Sequence, residues 1–289
     1  MDKIAILGGT GFIGRQLIEQ LASKQQALIT ASRQTNPPNL PATTIKQVDI
    51  HQLDQLTELL NGCSAVINLV GILNGSAQQF DQAHHQLVNN MIAACKENGI
   101  HRVIHISALN ASPQGPSNYL QSKAKGEQAL RDSGLSYTIL QPSVVFGAED
   151  QFLNRFKQLL KFSPMLPLAK AHSRFAPVFV GDVVQAITIC LRQENTIGHT
   201  YELCGPKVYS LQELVQKTAQ WSGKRRWIMP ISDRIAYAQA TLFEYLPSKP
   251  LTRDNLRSLE QDSVCQVNGL NALGIIATNL ESVAPQYLA

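Results

Sequence analysis

The stretch Lys3-Ile-Ala-Ile-Leu-Gly-Gly-Thr-Gly-Phe-Ile-Gly14 decides the fold. Ile4–Leu7 is an apolar run of strand length, Gly8–Gly14 interrupts it, and Phe12–Ala22 continues with the apolar spacing of a helix. A strand, a G-x-x-G-x-x-G turn and a helix, in that order, form the arrangement that holds a dinucleotide. Gly8 permits the tight turn, Gly11 lets backbone approach a pyrophosphate, and Gly14 lets the helix pack on the strand. The first amides of the helix and the positive end of its dipole then face the phosphates, with Thr10, Phe12 and Ile13 completing the loop. The turn predicts a Rossmann fold.

Working outward, further strand-like runs lie at Ala27–Thr30, Thr44–Val48, Ala65–Val70, Val103–Ser107 and Tyr137–Leu140. They alternate with helix-like runs at Leu53–Leu60, Phe80–Asn98 and Tyr119–Asp132, the rhythm of βαβ units around a parallel sheet. Gly62 and Gly99 read as helix exits. After Gly147 the rhythm changes. A helix over Gln151–Phe162, a proline-broken loop and a short strand Pro177–Val180 precede Asp182, placed to cap a helix reaching about Arg192. A strand His199–Cys204 and a Ser210/Glu213 capping box follow, and 225–289 reads as a strand with two or three helices. The expected architecture is α/β, a doubly wound parallel sheet. Residues 1–147 form the dinucleotide-binding core, and 148–289 a smaller α/β lobe that shares strands with it and faces substrate, partner or membrane.

The end of the second strand bears on the choice of cofactor. NAD binders place an acid about 20 residues past the turn to hold the ribose hydroxyls; here the sequence is Ala31-Ser32-Arg33. Arg33 can pair with a 2′-phosphate through its planar fork and Ser32 can donate to it, which favours NADP(H), with NAD(H) as the alternative. Asp49-Ile50 stands where an acid can accept from the adenine amino group. Leu69-Val70-Gly71 ends the fourth strand beside the expected dinucleotide. Tyr119 and Lys123, four apart on a helix, project from one face. A nearby ammonium favours the phenolate and is expected to lower the tyrosine pKa, and Ser107 at the end of the fifth strand can orient a substrate oxygen.

Composition bounds the remaining classes. With 25 basic and 21 acidic residues among 289, the charge is too small and too dispersed to point to nucleic acid. Cys63, Cys95, Cys190, Cys204 and Cys265 are odd in number, far apart and without C-x-x-C, which predicts reduced, buried thiols rather than a disulfide framework or zinc site. His84 and His85 sit mid-helix, so only one of them can face the core, and no carboxylate or cysteine stands at metal-ligand spacing from them. No G-x-S-x-G elbow is present. The start of the chain reads as a strand rather than a leader. The longest apolar run, Ser64–Leu73, is broken by Asn68 and falls short of a membrane span, so the expectation is a soluble, cytoplasmic protein.

One segment is unusual. Residues 151–181 carry Arg155, Lys157, Lys161, Lys170 and Arg174 and no acid, interleaved with apolar residues. That pattern suits either a lid packed on the core with a solvated basic edge, or a surface for an anionic membrane or an apolar substrate such as a quinone. The sparsely charged helix Arg234–Leu246 offers a second contact face for lipid or a partner.

The chain resembles the short-chain dehydrogenase/reductase superfamily in its extended and atypical branches. More narrowly, it resembles the nucleotide-binding accessory subunit of respiratory complex I and its free-standing bacterial relatives. The blocks are Gly8–Gly14, Phe80-Asp-Gln-Ala-His84, His105-Ile-Ser-Ala-Leu-Asn-Ala111, Tyr119–Lys123 with Gly126-Glu127, Pro142-Ser-Val-Val-Phe-Gly147, Asp150–Phe156, Pro177–Val183 and Tyr201–Pro206. The resemblance implies bound NADP(H), Ser107, Tyr119 and Lys123 in the places of the catalytic trio, and Pro142, Ser143 and Val144 against the nicotinamide. The family usually has arginine before Pro142; Gln141 here removes a charge near cofactor or substrate. The Ser107–Tyr119 interval is also short for extended members. The expected function is that of an NADPH-dependent oxidoreductase or epimerase/dehydratase acting on an apolar carbonyl or quinone-like substrate. The alternatives are a non-catalytic assembly or stability factor for a membrane respiratory or quinone-pathway complex, peripheral on the inner face of the membrane, and a sensor of NADP(H) state.

Overall fold

A computed structural model describes residues 3–35, 37–246 and 250–289. Met1 and Asp2, which begin the segment expected not to be a leader, fall outside the described residues. β1 (Lys3–Leu7), β2 (Leu28–Ser32), β3 (Thr43–Gln47), β4 (Cys63–Asn68), β5 (Arg102–Ile106) and β6 (Ser136–Pro142) join a seventh strand, Thr200–Leu203, in one sheet. Its order is seventh strand–β6–β5–β4–β1–β2–β3, and every pair is parallel. Because the chain runs outward from β1 to β3 and then returns to the far side of β1 as β4, the strand order reverses between β1 and β4. The carboxyl ends of those two strands bound the crevice where open α/β sheets bind ligands.

Sheet residues bury toward both faces, and so the strands read as apolar runs rather than alternating ones. One face packs on α1 (Phe12–Ala22), with Ile6, Leu17, Ile18 and Ile104 in one cluster. The other packs on α2 (Leu53–Leu60), α4 (Leu87–Glu97) and α5 (Asn118–Arg131), with Val66, Leu87, Met91 and Val103, while α3 (Ala77–Asp81) lies against α5. The single helix expected at Phe80–Asn98 is α3, a π-helical turn Gln82–Gln86 and α4 in succession, started by a Ser76/Gln79 capping box.

Beyond residue 147, α6 (Leu153–Phe162) and α8 (Leu211–Trp221) enclose a third cluster containing Phe146, Leu153, Leu160, Leu214 and Val215. Between them lies α7 (Val180–Arg192), whose Val183 and Ile187 join the α1 face of the sheet. Four further helices follow: α9 (Asp233–Phe243), α10 (Arg253–Ser258), α11 (Gly269–Ala272) and α12 (Leu280–Leu288).

Two expectations need correction. Asp182 does not cap α7, which starts at Val180. Its carboxylate accepts instead from the amide and hydroxyl of Thr278 at 2.7 and 2.8 Å, tying α7 to the segment before α12. The cysteines are not all reduced. Cys204 and Cys265 form a disulfide across 61 residues, while Cys63, Cys95 and Cys190 are free and buried. Spacing gave no sign of the bond because tertiary pairing creates it. Residues 263–268 run beside the end of the seventh strand, where Glu202 bridges Asn268 and the Asn268 amide donates to the Cys204 carbonyl.

Candidate functional site

At the carboxyl end of β1 the glycine turn is built from backbone alone. Gly8 has φ +85°, a left-handed conformation that a side chain would strain. A Cβ on Gly14 would collide with the Gly8 carbonyl oxygen and lie 2.6 Å from the Gly9 Cα, so only glycine lets α1 start this close to the turn. Gly11 is the N-cap of α1 and is extended. No side chain caps the helix there, so its first-turn amides face the crevice with the dipole behind them. Thr10 offers its carbonyl to Arg15 Nε at 2.9 Å, and Arg15 also reaches Glu149 at 3.2 Å. Phe12 and Ile13 pack against the α1-side cluster rather than opening to solvent.

Around the crevice the other expected residues divide. Ser32 is buried and its hydroxyl accepts from the Gln34 amide at 3.1 Å; Arg33 beside it is exposed and forms no ion pair with a described carboxylate. Asp49 closes its own turn, accepting from the His51 amide through Oδ1, with Ile50 packed on the α2 side. Leu69 and Val70 follow β4, which ends at Asn68, and pack against opposite clusters; their backbone lies 3.3 Å from where a Gly8 side chain would begin. Pro142 is buried at the end of β6. The Ser143 hydroxyl donates to the Ser263 carbonyl at 2.7 Å, and the Val144 carbonyl accepts from Val178. Gln141 does not face that site. Its amide donates to the buried Glu127 of α5 at 2.7 Å, and Glu127 also takes Arg131 at 2.8 Å.

Tyr119 and Lys123 lie one turn apart on α5. Lys123 is buried, its Nζ donates to the Ile106 carbonyl at 3.2 Å, and a side chain on Gly71 would begin 3.2 Å from that nitrogen. Ile106 ends β5, so the ammonium sits between the carboxyl ends of β4 and β5. Ser107 follows directly, with a buried Oγ that has no partner among the described residues. The expected tyrosine shift is reversed: burial pushes the Tyr119 hydroxyl up to about 12 and the Lys123 ammonium down to about 8, with Glu127 opposing the second shift. Desolvation disfavours both charged forms and outweighs the attraction between phenolate and ammonium.

Several residues of this site were not assigned to it from sequence, although His84 is the one of the His84/His85 pair that faces the core, as expected. His84 is buried by the π turn, whose backbone presses so close to Gly126 that any side chain there would clash with the His84 carbonyl. The ring accepts the Ile72 amide on Nε2 at 3.1 Å, which places its proton on Nδ1, 2.8 Å from Ser122 Oγ; that hydroxyl donates to the Tyr119 carbonyl. One histidine thus ties the loop after β4 to the tyrosine turn, edge-on to the Tyr119 ring at 5.5 Å. Burial first, and the Lys123 charge second, push His84 down to about 2 and His105 to about 3, so both are neutral. His105 Nδ1 accepts from Asn68 Nδ2 at 3.1 Å; its Nε2 proton, like Ser107 Oγ, is buried without a described partner.

Residues of α10 hold the start of α5. Asp254, itself buried, accepts the Asn118 amide at 2.8 Å and the Tyr119 amide at 3.1 Å, one with each carboxylate oxygen. Ser258 donates to Ser117, the N-cap, at 2.8 Å, and Asn255 donates to the Leu73 carbonyl of the loop after β4 at 3.2 Å. No motif linked α10 to α5, because the contact spans more than a hundred residues.

A glycine cradle with a space no Cβ can share, at the sheet's switch point, fits a dinucleotide pyrophosphate. The orphaned Ser107 hydroxyl fits a polar ligand atom. Fold and site together define a Rossmann-type nucleotide-binding protein whose fold is like that of the short-chain dehydrogenases/reductases. The chain belongs to the NAD(P)H-binding family, which it matches over residues 8–153. It is 29% identical over 290 residues to the mitochondrial NADH dehydrogenase [ubiquinone] 1 alpha subcomplex subunit 9 of Arabidopsis thaliana, covering 95% of this chain and 71% of that one. Among solved structures, the NADPH-dependent quinone oxidoreductase of Escherichia coli, complexed with NADPH, superposes with a TM-score of 0.77 at 22% identity, covering 98% of this chain and 99% of that one. A dTDP-glucose 4,6-dehydratase from Streptomyces venezuelae with NAD bound gives 0.79 at 18% identity, covering 99% and 95%. Both show the same fold. Among the described residues no helix is long and apolar enough to cross a membrane.

Proposed function

We propose that this chain is an NADPH-dependent oxidoreductase or epimerase/dehydratase that acts on an apolar carbonyl or quinone-like substrate. The observation that carries the reading is the Lys123 ammonium, buried one turn from Tyr119 between the Ile106 carbonyl and Gly71. Burying a charge in this position costs stability, which is the usual mark of a site built for chemistry rather than packing. Bound NADP(H) supplies or accepts a hydride. In this reading Ser107 donates a hydrogen bond to the substrate oxygen, Tyr119 gives that oxygen its proton, and Lys123 binds the nicotinamide ribose and stabilises the phenolate left behind. Gly8, Gly11 and Gly14 hold the pyrophosphate, Ser32 and Arg33 the 2′-phosphate, Asp49 and Ile50 the adenine. Leu69, Val70 and Gly71 line the ribose, with Pro142, Ser143 and Val144 against the nicotinamide. Support for NADP(H) over NAD(H) comes from Arg33, which is exposed and has no described carboxylate partner.

The test follows NADPH oxidation against quinones, sterol-like ketones and nucleotide sugars, with Tyr119→Phe in parallel. The expected outcome is turnover lowered by a factor of about 10² or more in the variant, with NADPH affinity unchanged. Absence of turnover by the wild type, with NADPH still bound, overturns the enzyme reading. Arg33→Ala is expected to weaken NADPH about tenfold and leave NADH unaffected; equal losses for both overturn the NADP assignment.

A second reading, that of a nucleotide-binding assembly or stability factor, is favoured by the Tyr119 hydroxyl held at about 12, far above working pH. The similarity to a subunit named for NADH dehydrogenase supports it too. Such a factor would meet a membrane respiratory or quinone-pathway complex through residues 151–181 and 234–246. Co-purification of that complex, lost on deleting either segment's exposed apolar residues while NADPH binding persists, is its expected signature.

A further inference from the structure

The strands Met165–Leu168 and Trp227–Pro230 form a separate parallel ribbon, with Trp227 opposite Met165 and Met229 opposite Pro167. Strand residues alternate between faces. The inward set, Leu166, Leu168 and Ile228, joins the packing of the C-terminal lobe. The outward set is where a ribbon open to water would carry polar residues, yet here it is Met165, Pro167, Trp227 and Met229, all exposed. Phe162, at the end of α6 three residues before this ribbon, is 88% exposed, and Trp227 is 78% exposed. The Trp227 amide donates to the Pro164 carbonyl and Arg226 Nε to the Leu160 carbonyl, which fixes the two segments side by side.

Charge around this apolar face has one sign. Segments 151–181 and 214–232 hold nine of the chain's 25 basic residues and none of its 21 acids, leaving the rest of the chain with an excess of acids. Lys170, Arg174 and Lys217 are paired with carboxylates from elsewhere, and Lys157 donates to the Tyr287 and Ala289 carbonyls. Lys161, Lys224, Arg225 and Arg226 form no ion pair with a described carboxylate. Lys224 feels Arg226, Lys161 and Lys157 as like charges, which places these cations together. A groove of about 500 Å³ runs past Lys224, Arg225, Arg226 and Trp227.

We infer that this face docks on an anionic lipid bilayer, with Phe162, Met165, Trp227 and Met229 entering the headgroup–acyl boundary and Lys161, Lys224, Arg225 and Arg226 meeting lipid phosphates. An aromatic–methionine face suits the interface, and cations with no carboxylate partner among the described residues suit its negative potential. The inference stands apart from the enzyme reading, because none of these residues belongs to the nucleotide site.

The full-length Trp221→Phe variant leaves Trp227 as the only tryptophan, since the chain has two. It is mixed with vesicles of phosphatidylcholine alone and of phosphatidylcholine with one quarter phosphatidylglycerol, and followed by flotation and tryptophan emission. Binding to the anionic vesicles only is expected, with a blue shift and shielding of Trp227 from an aqueous quencher. Lys161→Glu with Arg225→Glu should weaken binding by at least about thirtyfold. Phe162→Ala with Trp227→Ala, followed by flotation, should weaken it about tenfold or more. All four side chains are exposed, so the thermal midpoint and NADPH affinity of both double variants should match those of the parent. Equal binding to neutral vesicles, an unshifted Trp227, or undiminished binding of either double variant overturns the inference. So does a Trp227 blue shift that appears with protein concentration alone, which would assign the face to a second copy.

Discussion

In the turn at Gly8–Gly14 the chain holds itself. The Gly9 amide bonds to Ile6, the Gly11 amide to Gly8, and Gly14 rests on the Gly8 carbonyl. The first turn of α5, at the same end of the sheet, depends on residues far away. Asp254 takes its Asn118 and Tyr119 amides from 136 and 135 positions along the chain, and Ser258 reaches Ser117 from 141. One region excludes side chains at Gly8, Gly9 and Gly14; the other needs side chains lent from far along the chain. Nucleotide binding and the geometry of the tyrosine are therefore separable, and mutations should divide along that line.

The largest effect on nucleotide affinity is expected at the local end. Gly14→Ala forces a methyl into backbone that cannot retreat, and NADPH affinity in a fluorescence titration should fall by about a hundredfold or more. Affinity retained within about threefold would mean the turn is not locally fixed. At the remote end, Cys265→Ser opens a loop of 61 residues and should cost about 4 kcal/mol in denaturant unfolding, with NADPH affinity little changed. Titration of five thiols in the denatured, unreduced protein, in place of three, would remove the disulfide from the comparison.

Lys123 sharpens the contrast through pH. Its folded pKa of about 8 lies below the usual 10.5, so the unfolded chain binds the proton more tightly. The penalty is fully present below pH 8, shrinks as pH rises, and is gone above about 10.5. We expect Lys123→Met to stabilise the protein by about 3 kcal/mol at pH 7, a gain that fades toward pH 10.5. A gain that stays constant with pH would assign it to packing. The smallest effect is expected from Asp254→Ala, which strands two helix amides. About 2 kcal/mol should be lost, with faster hydrogen exchange confined to the first turn of α5 and NADPH affinity unaltered. Loss of NADPH affinity in this variant would show that the two regions are coupled after all.

The same contrast explains what could be read from sequence. α1 and α2 were legible to the residue, and all seven sheet strands to within a residue or two, because periodicity and glycine turns are local. Tyr119 and Lys123 were legible as a pair because one helical turn separates them. What escaped depended on tertiary neighbours. The Tyr119 pKa rises instead of falling because desolvation is set by how the helices pack over it. The Cys204–Cys265 bond depends on a segment that returns to the sheet 61 residues later. The π turn that buries His84 has no compositional mark. Gln141, read as a charge missing near the cofactor, spends its amide on Glu127 on the α5 side of the sheet.

The distance between α5 and its cap also has a consequence in time. A ribosome adds about 5–20 residues each second, so the acid that completes the tyrosine helix emerges on the order of ten seconds after the helix it serves. During that interval β1 already has β2 and β4 beside it, and the glycine turn has its own bonds to Ile6 and Gly8. A nascent chain should thus be able to seat its nucleotide well before the tyrosine beside it is fixed in place.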